Sequence, residues 1–431
     1  MLIKKSVYLG VFCILTIGSP VYASNLTNFN DPNTNQLMTA FKNKSVHIVQ
    51  FGDSHTAADV MTGTLRSQLQ NRLGNGGMGW GMPMYFSGQR LVRYGYDNNG
   101  WEPISSRQQR DQNYTLGGLI ATPKFNGATL TIKSKQSELS QKIKVNLRQA
   151  ATDGKFLGRD AQGHQFEIEA PIKNNTWQTV EFVAQLPFTI TASNAEQSAI
   201  GGWWAKNQNG GGAVVSALGI NGAELSYWNR WNEGWQQNLK SISPELIIIA
   251  YGTNEAFNDN IDVDKYKNLL ISKVDQIRVA SPDTAIMIVS APESLKNIAG
   301  QCGIRPIKLT AIQNVQYQVA QQKHTLYWNW QQAMGGECSM KSWINQGLGR
   351  KDGVHFSEAG YQKLGQALAE DLLSFVGLQQ SYNTPTNTEV NVAKSSQQYK
   401  PSTNMGYASI CLEGTKECKS INFYFVHDKK R

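Results

Sequence analysis

The sequence has few cysteines and few histidines, and it contains no Cys-x-x-Cys motif. Only 5 of its 431 residues are cysteine and only 6 are histidine. A disulfide-rich scaffold needs a much higher cysteine density. No histidine stands at the spacing from a cysteine that structural zinc sites use. These absences exclude a disulfide scaffold and argue against a structural zinc ion.

Clusters of basic residues are also absent, although basic residues are in excess. The chain has 41 lysines and arginines against 32 acidic residues, a formal net charge of +9 that is spread along its length. Nucleic-acid-binding domains gather their positive charge in a stripe or patch, so we expect no nucleic-acid partner. The excess is compatible with an anionic surface such as a cell wall, or simply with solubility.

Long apolar runs are absent except near the start of the chain. Lys4 and Lys5 precede an apolar run at 7–17, which is shorter than the ~20 residues that a spanning helix needs. Residues 21–23 then read Val-Tyr-Ala, small at both positions that a signal peptidase recognises. We therefore predict a signal peptide at 1–23. The mature protein should cross the inner membrane to the periplasm, free or associated with the envelope, and have no integral membrane segment.

Loss of the signal peptide would remove Cys13 and leave an even number of cysteines for an oxidising compartment. The remaining four can pair in three ways. We favour a pairing in which the last two close a short hairpin-like loop. The two predicted pairs are Cys302 with Cys338 and Cys411 with Cys418.

The apolar pattern predicts an α/β fold with an insert. The length exceeds the ~250–300 residues at which one hydrophobic core stops growing. Short apolar runs at 46–51 and 246–251, each followed by a helical pattern, predict a doubly wound, mostly parallel sheet. Between them, segments with a period of two predict an inserted antiparallel β-sandwich. The predicted boundaries are a signal peptide at 1–23, the α/β domain at 24–88 and 200–378, the insert at 89–199 and a polar tail at 379–431.

A serine stands at the turn from the first strand into the first helix, where residues 52–55 read Gly-Asp-Ser-His. The carboxyl ends of parallel strands face the crevice in which α/β sheets bind ligands. Ser54 would expose its hydroxyl there, and its backbone N–H could donate to an oxyanion. Taken alone, such a motif is more often only a helix cap.

Two later motifs occupy similar places. Residues 252–255 read Gly-Thr-Asn-Glu directly after a buried strand, where Asn254 is either an oxyanion donor or an ordinary turn residue. Residues 352–355 read Asp-Gly-Val-His ahead of the last helix. A nucleophilic serine needs a base that a carboxylate orients, and Asp352 and His355 are spaced to supply both. A capping aspartate beside an exposed histidine is the alternative.

In this order, the motifs resemble the blocks of the SGNH/GDSL hydrolase superfamily, which read Gly-Asp-Ser, a glycine, Gly-x-Asn-Asp and Asp-x-x-His. The resemblance spans about residues 46–376, interrupted by the insert, and implies a flavodoxin-like sheet. The chain departs from the pattern at Glu255, where the family usually has Asp. The resemblance implies a nucleophile, a base, its orienting acid and an oxyanion hole. These are Ser54, His355 and Asp352, with oxyanion donors Ser54, Gly222 and Asn254, and with Gly219 as the alternative to Gly222.

The insert narrows the resemblance. Residues 52–57 read Gly-Asp-Ser-His-Thr-Ala and residues 352–357 read Asp-Gly-Val-His-Phe-Ser. With a β insert between the serine and glycine blocks, the chain resembles the peptidoglycan O-acetylesterases, whose insert is similar to a carbohydrate-binding module. The resemblance implies a carboxylic ester hydrolase that removes the 6-O-acetyl group of N-acetylmuramic acid without a metal or organic cofactor.

Its partner would be O-acetylated peptidoglycan or another acetylated glycan. Three alternatives remain. The same triad could serve a polysaccharide O-acetyltransferase, or a lipid or thioester esterase. A non-catalytic wall-binding protein is disfavoured because all four motif residues, Ser54, Asn254, Asp352 and His355, are intact.

Overall fold

The computed structural model describes residues 24–231, 234–378, 406–411 and 418–423. The predicted signal peptide lies outside these residues, as does most of the predicted tail. The chain divides into two compact units, Met1–Gln379 and Gln380–Arg431.

In the first unit, strands alternate with helices at the beginning and at the end, whereas the middle consists of consecutive strands. The structure describes two strands in the second unit. The strands are β1 (Leu26–Asn28), β2 (Ser45–Gly52), β3 (Gly79–Gly81), β4 (Tyr94–Asn99), β5 (Trp101–Ser105), β6 (Leu119–Pro123), β7 (Thr129–Ser134), β8 (Gln141–Arg148), β9 (Lys155–Asp160), β10 (Gln165–Ile168), β11 (Trp177–Ala184), β12 (Phe188–Ser193), β13 (Ala199–Asn207), β14 (Gly212–Gly219), β15 (Leu246–Ala250), β16 (Ala285–Val289), β17 (Leu326–Trp328), β18 (Gly406–Cys411) and β19 (Cys418–Phe423).

The helices follow the strands of the α/β part. They are α1 (Thr34–Lys42), α2 (Ser54–Ala57), α3 (Val60–Leu73), α4 (Gly234–Ile242), α5 (Thr253–Phe257), α6 (Val263–Ala280), α7 (Leu309–Gln322), α8 (Trp330–Met334), α9 (Ser339–Asn345) and α10 (Glu358–Phe375), with a 3₁₀ helix at Leu225–Arg230.

The central sheet has six strands in the order β1-β17-β16-β15-β2-β14. Strands β14, β2, β15, β16 and β17 are parallel, and the short β1 pairs antiparallel with β17. The parallel strands taken in chain order therefore lie in the arrangement 2-1-3-4-5, which is the flavodoxin-like order. This confirms the predicted fold class.

Helices cover both faces of the central sheet. Strand β15 reads Leu-Ile-Ile-Ile-Ala and is buried along its whole length, as a parallel strand covered on both sides must be. Ile48 packs with apolar residues of α1, α3 and α10 on one face, whereas its neighbour Val49 belongs to the core on the other face. The core that contains Val49 continues without a break into the insert, so the α/β part and the insert share one hydrophobic interior.

The insert consists of two antiparallel sheets, in the orders β10-β9-β12-β7-β4 and β11-β8-β13-β6-β5. These sheets extend beyond the predicted bounds of 89–199. Strand β13 continues the second sheet to Asn207, and β3 pairs with it at Gly79–Gly81. Almost every residue of β13 is buried, so its sequence lacks the alternation that marks a half-exposed strand.

Two helical regions differ from those that the apolar spacing of the sequence predicts, and one strand is not predicted by this spacing. The apolar spacing predicts one helix over 54–73, but the structure divides it into α2 and α3, because Asp59 between them has a left-handed φ of +50°. The apolar spacing also predicts a helix over 225–239, where the structure has a 3₁₀ helix and then α4. Strand β14 is buried and rich in small residues, and it completes the parallel sheet beside β2.

One predicted disulfide is present, between Cys302 and Cys338, whose Cα atoms lie 4.6 Å apart. In the second unit, β18 and β19 form an antiparallel hairpin in which Cys411 stands opposite Cys418. The side chains of this hairpin lie outside the described part of the chain, so the second disulfide stays a prediction.

Candidate active site

Three strands of the central sheet end at the same level and bring three loops together. Gly52, at the end of β2, is level with Gly219 at the end of β14 and with Ala250 at the end of β15. The loops that follow carry Ser54, residues 220–223 and Asn254. The site therefore lies where the order of the parallel strands reverses, which is where sheets of this type bind their ligands.

The turn at Ser54 depends on a close approach of backbone that only glycine permits. A Cβ on Gly52 would lie 2.1 Å from Oγ1 of Thr56 and 2.7 Å from the carbonyl oxygen of Ala250. The carboxylate of Asp53 then caps α2 by accepting the N–H of His55 at 2.9 Å. Ser54 is the first residue of this helix and is half-buried, so its hydroxyl faces the loops rather than the core.

The structure brings Ser54, His355 and Asp352 into one hydrogen-bonded chain. Oγ of Ser54 lies 3.0 Å from Nε2 of His355, and Nδ1 of His355 lies 2.9 Å from Oδ2 of Asp352. The other carboxylate oxygen of Asp352 accepts the N–H groups of Val354 and His355, both at 2.9 Å. These bonds hold the turn that carries the imidazole.

The same contacts keep Asp352 ionised. Partial burial alone would raise its pKa, but the N–H groups of His355 and Val354 and the imidazole together bring the pKa below its usual value. An ionised carboxylate accepts the Nδ1 proton of the imidazole, which leaves Nε2 as the acceptor that faces the serine.

Asn254 and the loop at 220–223 are joined by a hydrogen bond. Nδ2 of Asn254 donates to the carbonyl oxygen of Ala223 at 2.9 Å, and an amide nitrogen carries a second hydrogen for another acceptor. Gly222, next to Ala223, has a left-handed φ of +73°. Gly219 lies deeper, where an added Cβ would come within 2.2 Å of the backbone nitrogen of Ala57. This packing against α2 leaves Gly222 in the loop that reaches Asn254.

Glu255, where the motif departs from the superfamily, is fully buried and fastens this loop to α5. Its carboxyl group accepts the N–H of Leu225 at 2.7 Å and the N–H of Gly252 at 3.0 Å. Burial raises its pKa to about 8, against the effect of the hydrogen bond from Leu225. The glutamate side chain is one methylene longer than aspartate, and its carboxyl group contacts the backbone of both Leu225 and Gly252.

Comparisons with known proteins show which family the chain belongs to. One family model, Peptidoglycan O-acetylesterase, N-terminal, matches residues 76–189, and another, the GDSL-like Lipase/Acylhydrolase family, matches residues 189–363. A solved structure described as "Peptidoglycan O-acetylesterase in action, 5 min" is 36% identical with a TM-score of 0.76, over 82% of this chain and 99% of that one. This chain belongs to the peptidoglycan O-acetylesterase family. It is a carboxylic ester hydrolase.

A family two carbohydrate esterase from Cellvibrio japonicus matches the esterase at 12% identity and a TM-score of 0.30, over 66% of this chain and 99% of that one. The comparison with curated proteins finds no match.

Beneath the serine of this esterase lies a layer of buried polar groups. Burial raises the pKa of Asp53 to about 6, although the N–H of His55 lowers it. Burial also lowers the pKa of His55 to about 3, so this imidazole is neutral at physiological pH. Its Nδ1 lies 2.8 Å from the hydroxyl of Tyr361 on α10, and its ring centroid is 5.5 Å from that of His355. The sequence motif placed His55 beside the serine but showed nothing of Tyr361.

The tryptophans beside the glycine-rich segments of the esterase belong to its core. Trp80, Trp203 and Trp204 are each no more than 3% exposed, so they present no ring face to a glycan. Within the described ranges, histidine, cysteine and carboxylate side chains form no group of three or more that could hold a metal ion. None of the described helices has both the length and the apolar character needed to cross a membrane.

Proposed function

We propose that this esterase is secreted to the periplasm and removes O-acetyl groups from peptidoglycan, at O6 of N-acetylmuramic acid. The observation that carries the proposal is the unbroken chain of contacts Ser54–His355–Asp352, at 3.0 and 2.9 Å. The chain is also 36% identical to a structure described as a peptidoglycan O-acetylesterase, which supports peptidoglycan as the substrate.

The first step is acylation of the serine. Nε2 of His355 takes the proton of Ser54 as Oγ attacks the acetyl carbonyl, and Asp352 stabilises the imidazolium that forms. The negative charge on the former carbonyl oxygen is met by the N–H groups of Ser54 and Gly222 and by the free amide hydrogen of Asn254. Collapse of this intermediate breaks the bond to the sugar oxygen, which takes the proton from His355.

The second step is hydrolysis of acetyl-Ser54. His355 removes a proton from water, whose oxygen attacks the acyl carbon, and acetate leaves as the proton returns to Ser54. The imidazole of His355 is 35% exposed, so water reaches the base directly. An acetyltransferase must exclude water from the acyl-enzyme, and this open site supports hydrolysis instead.

The test is acetate release from O-acetylated peptidoglycan, run beside 4-nitrophenyl acetate. Ser54→Ala should lower turnover of both by ~10⁴–10⁶-fold, because no other group is placed to attack the carbonyl. Ser137→Ala, an exposed serine of the insert, is the matched control and should retain full activity. Serine-dependent turnover of the small ester with an inert polymer would overturn the substrate, and activity that survives Ser54→Ala would overturn the mechanism.

A further inference from the structure

An arginine of the insert lies against the proposed oxyanion loop. Arg107 stands in the segment between β5 and β6, and a Cβ on Gly222 would be 3.5 Å from both its Cζ and its Nη2. The guanidinium group therefore covers Gly222 on one side. The insert thus contributes a charged side chain to the edge of the site that holds the reacting acyl group.

The backbone that carries Arg107 is held in place from both sides. Its own N–H donates to Oγ of Ser105 at 3.3 Å. The guanidinium of Arg230, at the end of the 3₁₀ helix that follows the oxyanion loop, donates to the carbonyl oxygen of Ser106 and lies 3.6 Å above the ring of Tyr227. The backbone at Arg107 is therefore held by one contact within the insert and by one contact between the insert and the α/β part.

The guanidinium group of Arg107 is exposed. Among the residues that the structure describes, no carboxylate forms an ion pair with it. The nearest carboxyl group along the oxyanion loop, that of Glu224, accepts a hydrogen bond from Ser226 at 3.3 Å instead. Asp111, in the same segment as Arg107, forms no ion pair with it. The fork of an arginine matches a carboxylate with two parallel hydrogen bonds, so an unpaired guanidinium at a substrate site is suited to that group.

We propose that Arg107 is a specificity-determining residue that binds a carboxylate of the substrate while the acetyl group occupies the site. The inference rests on the proposed function, since peptidoglycan carries carboxylates on its stem peptides. It makes the insert part of the substrate site itself and predicts that the esterase prefers anionic acetyl esters over neutral ones.

The test compares peptidoglycan with its native carboxylates and the same polymer after its carboxylates have been converted to amides. For the unaltered enzyme, kcat/KM for acetate release should be about tenfold higher on the native polymer, through KM, because a charge-assisted hydrogen bond is lost on amidation. Arg107→Gln should bring the ratio of kcat/KM on the native polymer to kcat/KM on the amidated polymer down to about one. Arg107→Lys should retain part of the preference for the native polymer. Arg159→Gln, which removes an exposed arginine on the other sheet of the insert, should leave the ratio unchanged.

A pair of small esters, 4-acetoxybenzoate and 4-acetoxybenzamide, separates this inference from the proposed function. If neither polymer is a substrate, the proposed function fails. Arg107 is then judged on the ratio of kcat/KM for the anionic over the neutral ester, which Arg107→Gln should lower and Arg159→Gln should not. A ratio that Arg107→Gln leaves unchanged, or an equal loss on both members of each pair, would show that the arginine only supports the Gly222 loop and would overturn the inference.

Discussion

At the scale of single residues, the two amide hydrogens of Asn254 have different partners. One hydrogen of its amide is donated to the carbonyl oxygen of Ala223 at 2.9 Å, which orients the side chain toward the proposed oxyanion loop. The other hydrogen remains for a ligand. A donor fixed in this way stabilises developing charge without reorganising during the reaction.

Asn254→Ala should therefore lower kcat for acetate release by ~10²–10³-fold, with a smaller change in KM, because the oxyanion forms only in the transition state. The measurement is steady-state kinetics on 4-nitrophenyl acetate and on O-acetylated peptidoglycan. Asn260→Ala, at an exposed position after α5, is the control. A change confined to KM would mean that Asn254 binds the ground state only.

At the scale of elements, α5 and the oxyanion loop are joined through one buried carboxyl group. Glu255 is 1% exposed and accepts from the backbone on both sides of the site. Burial raises its pKa from the ordinary 4.5 to about 8. A carboxyl group with a raised pKa binds its proton more tightly in the folded chain than in the unfolded chain. Its contribution to stability is complete below the unfolded pKa and is lost as pH rises through the folded pKa.

Glu255→Gln should remove this pH dependence. The free energy of unfolding of the unaltered protein, measured relative to Glu255→Gln, should fall by ~2–5 kcal/mol as pH rises from about 4.5 to about 8. Denaturant unfolding at a series of pH values measures it. Glu102→Gln removes an exposed carboxylate of β5 and should show no such trend. A difference that stays constant with pH, or grows, would contradict the raised pKa.

At the scale of the whole molecule, the insert and the α/β part of the first unit share one hydrophobic core. The segment that precedes the disulfide also reaches the triad, because the N–H of Leu295 donates to the carbonyl oxygen of Gly353 at 2.8 Å. The Cys302–Cys338 bond closes a loop with a sequence separation of 36 on the C-terminal side of this segment. The bond restricts the conformations of the unfolded chain.

Replacing both cysteines with serine should lower the free energy of unfolding by about 2–4 kcal/mol, as expected for a loop of this length. Denaturant unfolding under oxidising conditions measures the loss. Addition of reductant should bring the unaltered protein close to the variant. Equal stability of the two oxidised proteins would show that the disulfide contributes nothing.

The sequence alone predicted the α/β class, the β-sandwich insert and the motifs that carry Ser54, Asn254, Asp352 and His355. These follow from local information, since apolar periodicity sets strands and helices and strand ends place the motifs. The predicted boundaries of the insert are narrower than its sheets, because β13 is buried along almost its whole length and shows no alternation.

Only the tertiary structure decided which groups meet. Ser54 and His355 are 301 residues apart, and their contact depends on the packing of separate strand ends rather than on any local pattern. The same is true of Arg107, which reaches Gly222 from a loop of the insert, and of Glu255, whose raised pKa comes from burial. Residue types and spacing determine what chemistry is available, whereas burial and long-range contacts determine the distances and charges with which it operates.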